Sequence, residues 1–310
     1  MTTVSRKKLV VAINPSASFG ASRHVGPAVV QTLRAMGHEV TSLTEPDFEQ
    51  LLASARAALK KHPDALVMVG GDGMVNLGTN LVAGTRVPLA IIPSGTGNDM
   101  ARALGIPFDN TEAAIASLNA ALAVGPRTID AGRISWTDPV TGEAGERWFA
   151  CALSAGFDAI VNERANNMEH PKGPSRYIIA MLAELVKLKP LSYRLTIDGT
   201  VLDSKAVLVA IGNGVSLGGG MKITPDAKLD DGLLDVLVVQ PLSRTAFLRI
   251  FPRVFKGTHV TDPRVQITRA KKVRIEAEGI AAYGDGERIA LLPIDVEVVP
   301  GALRVLSPLP

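Results

Sequence analysis

Apolar positions follow two different rhythms along the chain, and the change comes near Gly125-Pro126. Before it, short apolar runs alternate with longer helix-compatible stretches. Leu9–Ile13, Glu39–Leu43, Ala65–Val69 and Pro88–Ile92 read as strands. A helix reaching to about Met36 and stopped by Gly37, then Asp47–Lys61, Met74–Ala83, Asn98–Leu104 and Thr111–Ala121, read as helices, the second capped near Pro46 and Asp47. Strand and helix recur roughly every 25 residues, which predicts a parallel sheet covered on both faces.

Beyond Gly125-Pro126 the runs are strand-like and many alternate apolar with polar residues. They are Arg127–Ser135, Arg147–Leu153, Tyr193–Ile197, Val201–Ile211, Leu233–Val239, Val265–Thr268, Lys272–Ala277, Arg288–Leu291 and Ile294–Val299. In one of them Val273, Ile275 and Ala277 fall on one face, with Arg274 and Glu276 on the other. Short turns such as Asp198-Gly199 and Pro300-Gly301 predict antiparallel hairpins. The expected fold is α/β in two domains: a Rossmann-like α/β domain over 1–128, then a mostly antiparallel β-sandwich or barrel over 129–302. Two helical insertions interrupt the β region. One is Ser175–Lys189, with Lys187 and Lys189 near its end; the other, Ser243–Lys256, spaces Phe247, Phe251 and Phe255 four residues apart around Pro252. Such an aromatic stripe more commonly faces a core; the alternative is a basic amphipathic surface against a membrane.

Composition narrows the class without choosing a function. The 310 residues carry 33 Lys or Arg against 30 Asp or Glu, a net charge of +3, which is too small to argue for nucleic acid. Cys151 is the only cysteine, so intrachain disulfides and a cysteine-rich zinc site are excluded, in keeping with a reducing cytoplasm. The apolar run Leu9–Ile13 is too short for a signal peptide, and no run is long enough to span a bilayer. Work on lipids would be done from the membrane surface.

Candidate chemistry lies on glycine-rich turns. Leu66-Val67-Met68-Val69 leads into Gly70-Gly71-Asp72-Gly73, followed by Met74, Val75 and Asn76; glycines that admit a close backbone approach, ahead of a helix start, make an anion cradle. Asp72 is the odd member, because its charge opposes a phosphate unless a cation lies between them. A second strand, Ile91-Ile92, opens into Pro93-Ser94-Gly95-Thr96-Gly97-Asn98-Asp99, one crossover away and at the same sheet edge. Asn14, with the small, hydroxyl-rich loop Pro15–Gly20 after it, follows the first strand there. Later, Asn213 to Gly232 forms a long polar connection rich in glycine, and Ala282-Tyr283-Gly284-Asp285-Gly286-Glu287 sets two carboxylates on a turn. A turn explains Asp285 and Gly286 but gives Glu287 no role.

In order along nearly the whole chain, Gly70–Gly73 with Asn76, Pro93–Asp99 with Ala101-Arg102, Asp231-Gly232 with Leu234-Asp235-Val236, and Asp285-Gly286-Glu287 make this chain similar to the bacterial soluble diacylglycerol kinase family. The resemblance implies a nucleotide-binding first domain, a β-sandwich second domain, and a tail from about 303 to 310 that returns to the first. It implies transfer of the γ-phosphate of ATP to the hydroxyl of diacylglycerol, with Mg2+ as cofactor. Asn14, Gly70, Gly71, Gly73, Ser94, Gly95, Thr96 and Asn98 would cradle ATP. Asp72, Asp99 and Asp130 would organise a water-mediated magnesium ion, and Glu287 would accept the lipid hydroxyl's proton. Lys228, Asp231 and Leu233 match a second, structural magnesium site; Asp130 alone also reads as a strand-end turn residue, and Asp231 as a plain Asp-Gly turn. A peripheral membrane location on the cytoplasmic side, and a homodimer through the β domain, are family-level expectations.

The sequence departs from the family at Met74, where threonine is usual, and at Leu77, where glutamate is frequent. Alternatives from the residues are a kinase of another lipid alcohol such as a sphingoid base or monoacylglycerol, an NAD kinase, or a non-catalytic nucleotide or lipid sensor.

Overall fold

The computed structural model describes residues 5–14, 24–138, 141–168, 179–181, 183–184 and 189–308. The Pro15–Gly20 loop, most of the Ser175–Lys189 insertion and the last two residues of the expected tail lie outside the described residues. The chain divides into two compact units, 1–131 with 300–310 and 132–299.

The first unit is a parallel sheet in the order β2 (Glu39–Leu43), β1 (Lys8–Ile13), β3 (Ala65–Gly70), β4 (Leu89–Pro93), closed by the C-terminal end of β16 (Ile294–Leu306) beside β4. Every residue of β3 and β4 is buried, which is why these strands read as unbroken apolar runs. Around the sheet run α1 (Val25–Ala35), α2 (Phe48–Leu59), α3 (Asp72–Val82), the short α4 (Asp99–Ala103) and α5 (Thr111–Val124). Their starts follow capping chemistry: Asp47 accepts the Gln50 N–H at 2.8 Å, and Asn110 accepts the Ala113 N–H at 3.0 Å. The left-handed Gly37 that ends the turn after α1 has φ 92°, a conformation open to glycine.

The second unit is two antiparallel sheets facing one core. One has the order β12 (Val265–Ala270), β11 (Leu234–Val239), β10 (Leu208–Gly212), β7 (Ala152–Gly156), β14 (Ala281–Gly284), β15 (Glu287–Leu291). The other runs β9 (Thr200–Ala206), β8 (Leu191–Ile197), β13 (Lys272–Glu276) to the N-terminal part of β16, with β5 (Arg127–Thr137) paired to β6 (Ala144–Phe149). Leu153, Val209, Ile211 and Val236 of the first sheet share a buried cluster with Leu195, Val273, Ile275 and Ile294 of the second, so the unit is a sandwich. The alternation along β13 is as the sequence predicts: Val273 and Ile275 are fully buried, while Arg274 pairs with Glu276 and Asp295.

Several elements differ from the sequence expectation. The apolar run Val201–Ile211 is two strands: β9 pairs with β8 and β10 with β7, so the chain changes sheet at Val207. Arg147–Leu153 likewise divides into β6 and β7. Pro300-Gly301 does not turn a hairpin; β16 continues through it, with Gly301 at φ 64°. Phe157–Asn167, unassigned from sequence, is a helix, α6. Asp198-Gly199 does turn the β8–β9 hairpin, with φ 44° and 85° and Ile197 opposite Thr200. Arg244–Val254, α7, is helical through Pro252.

Candidate active site

In the first unit the parallel strands bring the ends of β1, β3 and β4 to one edge. The Asn14 N–H donates to Val69 O at 3.1 Å, and the Ser94 N–H donates to Gly70 O at 2.9 Å. Asn14, Gly70 and Ser94 are thereby neighbours.

The Gly70–Gly73 segment is less a turn than a strand running straight into a helix. Gly70 ends β3, Gly71 is the extended N-cap of α3, and Asp72 and Gly73 open the helix. None of these glycines has a positive φ, so their role is space rather than backbone freedom. A Cβ on Gly71 would stand 3.0 Å from the Cα of Gly95, and a Cβ on Gly95 would overlap the Cα of Gly71. The two glycine loops pack backbone against backbone.

Asp72 ties them together. Its Oδ1 accepts the Asp99 N–H at 2.8 Å and its Oδ2 accepts the Asn98 N–H at 3.0 Å, so the α3 carboxylate caps the start of α4. Asn98 sits in the left-handed region at φ 53°, and its side chain closes the loop on itself: Oδ1 accepts the Gly95 N–H and Nδ2 donates to Gly95 O. Thr96 and Gly95 at the loop crest are exposed, Ser94 is half-buried, and Asn98 and Asp99 are buried. Arg102 braces the loop from its own helix, donating to Gly97 O at 3.0 Å with its guanidinium over the Phe108 ring at 3.8 Å.

Burial raises the Asp72 pKa, the nearby Asp99 carboxylate raises it further, and the two backbone N–H groups oppose both. Two carboxylates this close, in a partly buried place, are a hard-oxygen set that suits a magnesium ion. Since both Asp72 oxygens already accept backbone N–H groups, a cation met through water fits better than direct ligation. Asp130 is inside β5 rather than at a strand-end turn; it is buried, and its Oδ1 accepts the Gly301 N–H at 2.8 Å.

The two family departures separate in the structure. Met74 is buried, and its side chain occupies the space above Gly70 that a Cβ there would claim. Leu77 is half-buried on α3. Asn76 is buried with its Nδ2 lacking a hydrogen-bond partner among the described residues, while Asn80 donates to its carbonyl at 3.0 Å.

In the second unit Glu287 opens β15 and is exposed. Its hairpin turns on Asp285 and Gly286, at φ 48° and 85°, with Gly284 opposite Glu287. Asp285 is far more than a turn residue: its carboxylate accepts the Ala150 N–H at 2.7 Å, the Cys151 N–H at 2.9 Å and the Ala152 N–H at 3.0 Å. Asn213 holds the same segment from the other side, donating from Nδ2 to Ala150 O at 2.7 Å. The sequence did not mark these two as the supports of the Glu287 hairpin. Their partners lie more than sixty residues away, and a buried strand junction leaves no local signature.

The long connection after Asn213 is tied down as well. Thr224 Oγ1 donates to Gly214 O at 2.8 Å, and the three glycines Gly218–Gly220 all have positive φ. At its end Asp231 accepts the Leu233 N–H at 3.1 Å and forms an ion pair with Arg269. Lys228 is exposed and Leu233 half-buried. Arg269 thus occupies the one carboxylate of the expected second magnesium site. No group of three or more His, Cys, Asp or Glu placed to hold a metal occurs among the described residues.

Comparison with known proteins bears on both units. Residues 8–134 match the diacylglycerol kinase catalytic domain, and residues 151–307 match the YegS C-terminal NAD kinase beta sandwich-like domain. A diacylglycerol kinase of Mycobacterium tuberculosis is 41% identical over 302 residues, spanning 97% of this chain and 95% of its own. Among solved structures, a diacylglycerol kinase from Bacillus anthracis superposes with a TM-score of 0.70 at 22% identity, over 98% of both chains. An NAD kinase from Archaeoglobus fulgidus in complex with ATP superposes at 0.53 and 13% identity, over 96% of this chain and 93% of its own. The chain belongs to the diacylglycerol kinase family of lipid kinases, whose fold is related to that of NAD kinases. No helix among the described residues is long and apolar enough to cross a membrane.

Proposed function

We propose that this protein transfers the γ-phosphate of ATP to the free hydroxyl of diacylglycerol, giving phosphatidic acid, and that magnesium is required. The observation that carries the proposal is the Asp72 clamp: one carboxylate joining the start of α3 to the Asn98–Asp99 start of α4, beside the Gly71–Gly95 backbone contact.

In this account the ATP phosphates lie along the start of α3 and the 94–98 loop, held by main-chain N–H groups that the loops do not already use among themselves, those of Gly73 and Thr96 foremost. The Gly71–Gly95 contact leaves no side chain to hold the phosphates off. Magnesium, when bound, would neutralise charge on the transferring phosphoryl group. Asp72 and Asp99 would hold its water shell, with Asp130 as a third carboxylate. Asn14 would position the nucleotide at the end of β1. Glu287 would accept the proton leaving the lipid hydroxyl as the oxygen attacks the γ-phosphorus, and ADP leaves with the bridging oxygen. Asp285 sets the hairpin that carries Glu287, so it is a positioning residue. The second magnesium, at Lys228, Asp231 and Leu233, would act on stability alone, in competition with Arg269.

Purified protein given ATP, magnesium and diacylglycerol in detergent micelles should form phosphatidic acid. A side-by-side assay offering NAD, a sphingoid base and monoacylglycerol separates this acceptor from the others; preferred phosphorylation of any of these would replace diacylglycerol in the proposal.

A further inference from the structure

The second unit carries a helix whose apolar row runs from a buried root to an exposed tip. Ser243 caps α7, its Oγ accepting the Ala246 N–H at 3.2 Å. Ile250 is buried, and Phe247 packs edge-on against Phe157 with ring centroids 5.0 Å apart, which fixes the inward side of the helix. A helix turns about 100° per residue, so residues four apart step about 40° around the cylinder. Phe247, Phe251 and Phe255 therefore wind outward. Their rings follow in sequence, with centroids 5.6 Å apart and then 6.0 Å. Phe255 at the outward end of this row and Leu248, two turns before it on the same face, are each 50% exposed.

Charge borders that exposed row. Arg249 and Lys256 are exposed and lie roughly 100° further around the cylinder from Leu248 and Phe255 respectively. From Val236 to Thr261 the sequence holds four Lys or Arg residues and no Asp or Glu. The next acid in sequence, Asp262, is closed onto Arg264 at 2.9 Å. Lys222, also exposed, is hydrogen-bonded through its N–H to Val254 O and adds charge at the end of the helix. Bulky apolar groups beside lysine and arginine, on a helix that carries no acid, match an anionic lipid surface: rings enter the headgroup–acyl boundary and cationic ends reach phosphates.

We propose that α7 is the membrane-docking surface of this protein, with Leu248 and Phe255 inserted into the interface of an anionic bilayer and Arg249 and Lys256 on its headgroups. The proposal rests on the lipid-kinase account and adds to it where the protein meets the lipid phase. None of these side chains belongs to the candidate active site, so docking and chemistry can be measured apart.

Two paired variants test it: Leu248→Ser with Phe255→Ser, and Arg249→Glu with Lys256→Glu. Sedimentation with vesicles of phosphatidylcholine alone, and of phosphatidylcholine with phosphatidylglycerol, reads binding. Wild-type protein should prefer the anionic vesicles, and each variant should lose about tenfold or more of that binding, the charge variant losing its salt dependence as well. Phosphorylation of dioctanoylglycerol in detergent micelles should stay within about twofold of wild type in both, because active-site groups are untouched. Vesicle binding unchanged in both variants would overturn the proposal. So would a wild-type dimer that the Leu248→Ser, Phe255→Ser protein cannot form, since a second copy would then be what covers the face. A wild type that binds anionic vesicles but phosphorylates no micellar lipid would refute the proposed reaction and leave α7 docking standing.

Discussion

Gly71 and Gly95 touch through their backbones: a Cβ on Gly95 would overlap the Cα of Gly71. The contact joins the end of β3 to the loop after β4, and both loops need glycine for proximity, not for unusual dihedral angles. Gly95→Ala must push backbone against backbone, whereas Gly71→Ala meets the Gly95 Cα at 3.0 Å and needs only a few tenths of an ångström of yield. Overpacking of this kind costs about 1–3 kcal/mol. Gly95→Ala should therefore unfold at lower urea than Gly71→Ala, with a larger rise in KM for ATP. The reverse order would mean that the loops part easily.

Asp285 takes three backbone N–H groups on one carboxylate. Asp285→Ala strands those donors at a buried strand junction, which should cost about 2–4 kcal/mol by the usual penalty for unsatisfied groups and lost charge-assisted bonds. Glu287→Gln, two residues on, is exposed and should leave stability unchanged within about 0.5 kcal/mol. Chemical denaturation of both variants checks the contrast. Equal stability losses would contradict the division into a support and an exposed reactive group.

Much of this was legible in the sequence, and the parts that were not share a cause. The all-apolar runs of β3 and β4 announce buried parallel strands, and the glycine motifs mark their ends. Sheet-switching inside Val201–Ile211 was hidden because both halves are strand-like; only pairing partners far away in the chain tell β9 from β10. Pro300-Gly301 looks like a hairpin turn, yet its N–H has a use in place: it meets the Asp130 carboxylate while the strand runs on. Asp285 is the clearest miss. Locally it is a turn aspartate, and its work is done on residues 133 to 135 positions earlier.

His259 predicts a pH response of stability separate from the active site. It is buried, its Nε2 lies 3.1 Å from Ile223 O, and burial holds its pKa below the ordinary value of 6.5. The folded protein keeps the ring neutral while the unfolded chain takes up a proton near 6.5. Its stabilisation is thus complete above that value and is lost as pH falls toward the depressed folded pKa. Urea midpoints at about pH 7.5 and about pH 5.5 should differ more in wild type than in His259→Gln. Identical pH dependence would remove His259 from the account.

Arg269 and magnesium compete for Asp231 in this proposal. Releasing the carboxylate by Arg269→Ala should let magnesium raise the melting temperature by a few degrees more than in wild type, by preferential binding to the folded state. Asp231→Ala should abolish the effect. A magnesium response equal in all three proteins would exclude a second metal at Lys228, Asp231 and Leu233.

The most direct test of the central claim is label transfer from γ-labelled ATP to dioctanoylglycerol, run with and without magnesium for wild type, Asp72→Asn and Glu287→Gln. Labelled phosphatidic acid should form in wild type only when magnesium is present, and each variant should lose about a hundredfold or more in turnover while its fold, read by circular dichroism, is retained. No labelled phosphatidic acid from wild type, or turnover in either variant within about twofold of it, would contradict the account.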